Sequence, residues 1–312
     1  MNRTARRRHM PRIFTSPPST LDMNVGAEMA ELTELAGRPL DTWQHTVLEK
    51  ATRVDEAPVI AGSPTHAAAW TWSAGEVGLL TAQANGKTTL VEARELAGMY
   101  TLHEHIVYTA YNRAAARHRM DCLLQVIQSS PHLSRYVEKI NRANGAEGIL
   151  LKTGGAIRFC ARGPASIDAA IDADLLVIDD AYHVPDAWAG AAVHGTAFRQ
   201  PTSPRRQIWY VGTAVDHKVH HQGRVFTKIR NRGLTGTEPD LAWIEYSAPD
   251  DRDENGELLV DTTDPAVMAR ANPSERLPDG WAAKELLQLT PREFEVQHLG
   301  IGYWPDLAEP AA

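Results

Sequence analysis

The sequence predicts an α/β fold: a mainly parallel sheet flanked by helices, closed by a small helical region near the C-terminal end. Three observations carry that reading. From about residue 67 to residue 212, short apolar runs alternate with stretches of helical spacing. Two of the runs, 175–178 and 208–212, are apolar throughout, as strands covered on both faces are. Beyond residue 248 only short helical stretches remain.

Taken in order, residues 1–24 form a basic lead-in. Arg3, Arg6, Arg7, Arg8 and Arg12 precede Pro17 and Pro18, and a tail of this kind is expected to be disordered. Residues 25–36 alternate apolar and acidic positions at helical spacing. Asp41 caps a helix through Trp43, Val47 and Leu48. Strands are expected at 67–72 and 77–81. A helix follows over 87–99, with Leu90, Ala93, Leu96 and Ala97 on one face. Strand 106–110 leads into helix 113–128. Residues 149–152 and 156–161 form a hairpin around Gly154 and Gly155. Strands 175–178 and 208–212 complete a core spanning 25–248. An acidic, turn-rich stretch at 250–256 then opens a region of 249–305, with helices at 264–271, 279–289 and 291–298. Residues 306–312 are a short tail.

Composition narrows the function classes. The 312 residues are 43% hydrophobic and 23% charged, an ordinary globular balance. No apolar run is long enough to span a bilayer, and the basic start lacks the apolar stretch of a secretory signal. Cys122 and Cys160 make no disulfide framework and read as small core residues of a reducing cytoplasm. The net charge of −7 excludes holding DNA by bulk charge, although one local basic patch on an acidic protein remains compatible with DNA contact. His217, His220 and His221 cluster without further ligands at metal spacing, and His103 and His105 read as loop residues. The run Asp251-x-Asp253-x-Asn255-Gly256 starts like a calcium loop. Thr262 stands where that loop needs glutamate, so a polar turn is expected.

The segment Gly78-Leu-Leu-Thr-Ala-Gln-Ala-Asn-Gly-Lys-Thr-Thr-Leu90 runs from a strand through a turn into a helix. Phosphate binding needs those parts, because backbone N–H groups of the turn and helix N-terminus face the anion. Lys87 is placed to reach the β- and γ-phosphates, and the Thr88 hydroxyl to join a Mg²⁺ shell. Thr81 stands where the strict P-loop pattern has its first glycine, and a Gly-Lys-Thr triplet alone also fits a plain helix-starting turn. The second half is Asp174-Leu-Leu-Val-Ile-Asp-Asp-Ala-Tyr-His183. A buried strand there delivers Asp179 at its C-terminal end, where open α/β sheets place ligands, to hold Mg²⁺. Asp180 is placed to orient or deprotonate the attacking water.

These residues resemble the large terminase subunits of tailed bacteriophages, most densely those of actinobacteriophages, from about residue 25 to Pro305. Leu40-Asp41-Thr42-Trp43-Gln44 is similar to the family's adenine motif, which implies that Gln44 bonds the adenine edge and Trp43 packs beside it. Gln83-Ala-Asn-Gly-Lys-Thr88 resembles its variant phosphate loop, so Gln83, Asn85, Gly86, Lys87, Thr88 and Thr89 are the implied nucleotide-binding residues. Tyr210-Val-Gly-Thr-Ala214 resembles the coupling motif, in which Thr213 senses the γ-phosphate. Segments 242–247, 271–273 and 294–305 follow the lid region. The resemblance implies a P-loop ATPase that uses ATP and Mg²⁺ to drive double-stranded DNA into a procapsid. It implies a homo-oligomeric ring served by a portal protein and a small terminase subunit, in the cytoplasm of the bacterial host and with no membrane partner.

Departures from the family pattern bear on rate. Gln83 stands at the position of the loop arginine, a charge worth up to several powers of ten in phosphoryl transfer. Asp180 replaces a glutamate and retracts the carboxylate by roughly 1 Å, a displacement to which catalysis is sensitive. The stretch 165–170 has no arginine where the family carries one, and Arg162 is the nearest substitute. The chain ends where the family's nuclease domain begins, so no DNA cleavage is expected. Two rival readings stand beside the motor. One is another P-loop nucleic-acid translocase. The other is a terminase fragment or assembly subunit that binds nucleotide without useful turnover.

Overall fold

A computed structural model describes residues 10–21, 23–56, 70–193 and 205–308. The first half runs β1 (Ile13–Thr15), β2 (Met23–Asn24), α1 (Gly26–Leu35), α2 (Thr42–Ala51), β3 (Arg53–Glu56), β4 (Trp70–Trp72), β5 (Glu76–Leu80), α3 (Lys87–Tyr100), β6 (His105–Ala110), α4 (Arg113–Ser129) and α5 (Pro131–Ser134). The second half runs β7 (Val137–Asn141), β8 (Gly148–Leu151), β9 (Ala156–Ala161), α6 (Pro164–Ile171), β10 (Leu175–Asp179), a 3₁₀ turn (Ala181–His183), α7 (Asp186–Ala192), β11 (Gln207–Gly212), α8 (Arg224–Thr235) and β12 (Leu241–Glu245). Three short helices follow: α9 (Pro265–Ala271), α10 (Trp281–Leu286) and α11 (Pro291–His298).

The main sheet has nine strands in the order β1-β12-β5-β11-β10-β6-β9-β8-β7. Its six central strands, β12 to β9, are parallel. β1 at one edge and the β7–β8 pair at the other run antiparallel to their neighbours. A second, three-stranded antiparallel sheet joins β2, β3 and β4. The α/β class and its mainly parallel sheet thus stand as the sequence predicts. Residues 67–69 of the predicted strand at 67–72 lie outside the described residues.

Apolar clusters cover both faces of the sheet. One gathers α1–α5 around Leu79, Tyr108, Val177 and Trp209, and the other gathers Ile178, Tyr210, Phe226 and Trp243. A third cluster, with Ala248, Met268, Phe294 and Ile301, holds α9–α11 together. Helix α3 is buried on more than its predicted apolar face. Its charged residues are sealed in ion pairs: Arg94 with Glu104 at 2.6 Å, and Glu95 with Arg119 of α4 at 2.5 Å. No helix among the described residues is long and apolar enough to cross a membrane.

Three segments depart from expectation. Residues 13–15 of the lead-in form β1, because Arg12 anchors it by an ion pair of 2.5 Å to buried Glu245 and one of 3.1 Å to Asp250. Residues 242–247, expected with the lid, include most of β12, a fully buried strand beside β5. The terminal glutamate hides that strand in the sequence, since Glu245 is buried only by virtue of Arg230 at 2.9 Å and Arg12. Strand β7 carries Glu138, Lys139 and Ile140 exposed at the sheet edge, so no apolar period marks it.

Candidate nucleotide site

Strand β5 delivers the chain into the turn Thr81–Gly86 and α3 starts directly after it. The turn needs two left-handed residues, Ala84 at φ 60° and Gly86 at φ 90°. Gly86 is the helix N-cap and offers no side chain, so no side-chain cap closes the first N–H groups of α3. Lys87 folds back over the turn and donates to the carbonyls of Thr81 at 2.9 Å and Ala82 at 2.8 Å. Burial lowers its pKa to about 8, while Asp179 and Asp180 pull it back up. Thr88 is exposed on the first turn of the helix and Thr89 is buried behind it.

The acids stand across the cleft. β5 and β10 are parallel and separated by β11, which sets them about 10 Å apart with their carboxyl ends on one edge. Asp179 closes β10 and accepts a hydrogen bond from the Tyr108 hydroxyl of β6. Asp180 follows with a left-handed backbone at φ 47°. Its carboxylate accepts from the Tyr182 hydroxyl at 2.9 Å. Burial first, and the neighbouring Asp179 second, hold the Asp180 pKa above the usual carboxylate range. Arg162 donates to the carbonyls of Asp179 at 2.8 Å and Thr109 at 3.0 Å, with burial lowering its pKa to about 10. Lys87, Asp179 and Asp180 therefore share one electrostatic site, at the carboxyl edge where parallel sheets bind ligands. Thr88 and Asp179 are hard oxygen donors of the kind that hold Mg²⁺ in phosphate sites.

No family model matches the chain. No curated protein matches it in sequence. Solved structures do share its architecture. The HK97 bacteriophage large terminase superposes with a TM-score of 0.64 at 18% identity, over 89% of this chain and 55% of that one. The ATPase domain of the Thermus phage P74-26 large terminase superposes with a TM-score of 0.53 at 13% identity, over 86% of this chain and 96% of that domain. The chain has the large-terminase ATPase fold. It spans about half the length of the HK97 large terminase.

Within that terminase fold, several expected site residues take other duties. Gln44 is fully buried and both ends of its amide are committed. Its carbonyl accepts the Asp41 N–H at 2.7 Å in a capping box, and its Nε2 donates to the Gly86 carbonyl at 2.8 Å. It braces the phosphate loop instead of facing an adenine edge. Trp43 is fully buried too, packed edge-on against Tyr246 at 5.4 Å between centroids, and is a core residue rather than a base platform. Asn85 is sealed from solvent. It donates to Asn272 Oδ1 at 2.8 Å and to the Gln83 carbonyl at 3.0 Å, and accepts the Ser274 N–H at 3.1 Å. It fastens the loop to the segment between α9 and α10. Ser274 continues that clasp to Asp41 at 2.7 Å. Gln83 is exposed at the loop tip, its N–H bonded to the Gln297 carbonyl at 2.8 Å. Thr213 is buried at the end of β11 between the loop and the acids.

Tyr108, Tyr182 and the Asn272–Ser274 clasp went unnoticed in the sequence. Their roles depend on strand order and on contacts 71 and 187 positions apart, which no local pattern encodes. Arg162 is turned inward onto carbonyls, so as placed it is no projecting finger. His220 stacks on Tyr182 at 4.5 Å and accepts the Asp216 N–H at 3.0 Å, and His217 Nδ1 lies 2.9 Å from the Tyr303 carbonyl. At residues 251–256 Asp253 accepts the N–H groups of Asn255 and Glu257 at 2.8 and 2.9 Å, a polar turn.

Proposed function

We propose that this chain is the ATPase motor domain of a phage DNA-packaging terminase, which hydrolyses ATP with Mg²⁺ to move double-stranded DNA into a procapsid. One observation carries the reading: an uncapped helix N-terminus bearing Lys87 and Thr88 faces two acids across a single intervening strand. The phosphates are met by the first N–H groups of α3 and by Lys87, which leaves the Thr81 and Ala82 carbonyls to do so. Thr88 and Asp179 are the side chains that hold Mg²⁺, which when bound neutralises phosphate charge. Asp180 accepts the proton of the attacking water, and its raised pKa suits a base that works near neutrality. Gln44 and Asn85 keep the loop in shape from behind.

A polyanionic partner suits the surface charge. Residues 111–162 hold nine Lys and Arg against three Asp and Glu, in a chain of net charge −7. Arg113, Arg117, Lys139, Arg142, Lys152 and Arg158 of that span are exposed. A ring of copies, a portal and a small terminase subunit belong to the same reading.

A second reading, nucleotide binding with little turnover, is favoured by the neutral Gln83 at the loop tip and by the inward Arg162. A single-turnover ATPase assay on wild type, Gln83→Arg and Asp180→Glu decides between them. Phosphate release by wild type supports the motor. Binding without hydrolysis in all three supports the second reading, and absence of nucleotide binding overturns both.

A further inference from the structure

One phenol at the cleft edge touches more than the acid it bonds. Tyr182 lies on the 3₁₀ turn that follows the two acids. Its hydroxyl donates to Asp180 Oδ1 at 2.9 Å. Its ring lies along the end of β11, where a Cβ added to Gly212 would sit 3.4 Å from Tyr182 Cδ1. Thr213 is the next residue, buried, with its hydroxyl in hydrogen-bonding contact with that of Tyr182. Asp180 pushes the phenol pKa up and Thr213 pulls it down. That pattern orients the chain of donors from Thr213 to Tyr182 to Asp180.

The ring also reaches outward. It stacks on His220 with centroids 4.5 Å apart. His220 Nδ1 accepts the Asp216 N–H at 3.0 Å. The Asp216 carboxylate is held at 2.7 and 2.6 Å by Arg292 of α11. One side chain thus contacts the water-handling acid, the residue that ends β11, and a path into the C-terminal helices. Asp180 needs such a hold, since its short carboxylate rides on a left-handed backbone that a non-glycine residue seldom adopts.

We propose that Tyr182 is a positioning residue whose hydroxyl bridges Asp180 to Thr213, so that both respond together when a γ-phosphate enters the cleft. The proposal rests on the ATPase reading of the site.

The test compares wild type, Tyr182→Phe, Thr213→Val and the double variant. Phenylalanine keeps the ring against His220 and β11. Three quantities are measured: the thermal unfolding midpoint without nucleotide, the affinity for a fluorescent ATP analogue with Mg²⁺, and the single-turnover hydrolysis rate. Each single variant is expected to slow hydrolysis by about ten- to a hundred-fold while leaving affinity within about two-fold. The double variant is expected to be no slower than the worse single, because both remove one bridge. The midpoint losses should likewise fail to add. Wild-type turnover by Tyr182→Phe, or losses that multiply, overturns the bridge. A wild type that binds nucleotide without hydrolysing it, or binds none, sinks the motor reading. The unfolding cycle then decides the bridge alone: non-additive losses support it and additive losses overturn it.

Discussion

The two walls of the cleft are held in place by different chemistry. The loop wall is braced by neutral amides sealed from water: Gln44 on Gly86, and Asn85 on Asn272 and Ser274. The acid wall is half-buried and is held by phenols and a guanidinium: Tyr108 on Asp179, Tyr182 on Asp180, Arg162 on the carbonyls beneath. A neutral brace fixes backbone shape without adding charge, which suits a loop that must present N–H groups to any triphosphate. A phenol holds a carboxylate by a hydrogen bond that a metal or a water can replace, which suits groups that change partners during a reaction. Shape is built into one wall and adjustable charge into the other.

Lys87 crosses between the walls, bonded to the loop carbonyls while feeling both acids. The largest effect is therefore expected there. Lys87→Met should lower single-turnover hydrolysis by about 10²–10³-fold, with the fold retained by circular dichroism. Activity within a few-fold of wild type would mean that the walls do not work as one site. Next comes the loop brace. Asn85→Leu leaves the Gln83 carbonyl, Asn272 and the Ser274 N–H without their partner in a dry setting. It should cost about 2–4 kcal/mol in denaturant unfolding.

The fold was more legible than the braces. The apolar runs at 175–178 and 208–212 and the helical spacing at 87–99 mark β10, β11 and α3, because covered strands and amphipathic helices write their burial into local periodicity. The Gly-Lys-Thr turn and the paired acids are local too, and the structure brings Lys87, Asp179 and Asp180 to one edge. Gln44 was visible as a polar residue in a patterned segment, but not what it bonds: its partner lies 42 positions away. β12 and β1 were misread for a related reason. Glu245 is tolerable inside only because Arg12 and Arg230 reach it from distant points of the chain, and a local pattern prices it as surface. What a side chain touches across the sheet depends on strand order, and strand order is not a local property.

A third effect tests whether charge belongs to the acid wall alone. Glu95 of α3 is fully buried under that wall. Burial pushes its pKa up to about 8 despite Arg119, and Glu92 and Asp179 push the same way. Its unfolded value is 4.5, so the folded protein holds the proton more tightly. The stability this confers is complete below about 4.5 and is lost as pH rises through about 8. Glu95→Gln cannot titrate, so wild type should lose stability relative to it between pH 5 and pH 8, on the order of 1 kcal/mol. Unfolding in denaturant at the two pH values checks this. Asn85→Leu should keep the wild-type slope, since its wall contributes no carboxylate to this balance.

The smallest effect is expected from Tyr108→Phe. The phenol is buried within the sheet against Phe159, at 5.5 Å between centroids, so the ring keeps its packing when the hydroxyl goes. Asp179 is half-exposed, and water can take the place of the lost donor. The loss should be about 1 kcal/mol or less, well under that of Asn85→Leu, although both changes remove a hydrogen-bonding group from the same cleft. Denaturant unfolding of the two variants side by side measures the contrast directly. Equal losses would mean that the acid wall is as dry and as fixed as the loop wall, and that its phenols are struts and not exchangeable partners. A smaller loss for Tyr108→Phe, together with a raised Mg²⁺ requirement for nucleotide binding, would place the hydroxyl where an adjustable wall needs it: aligning Asp179 without enclosing it.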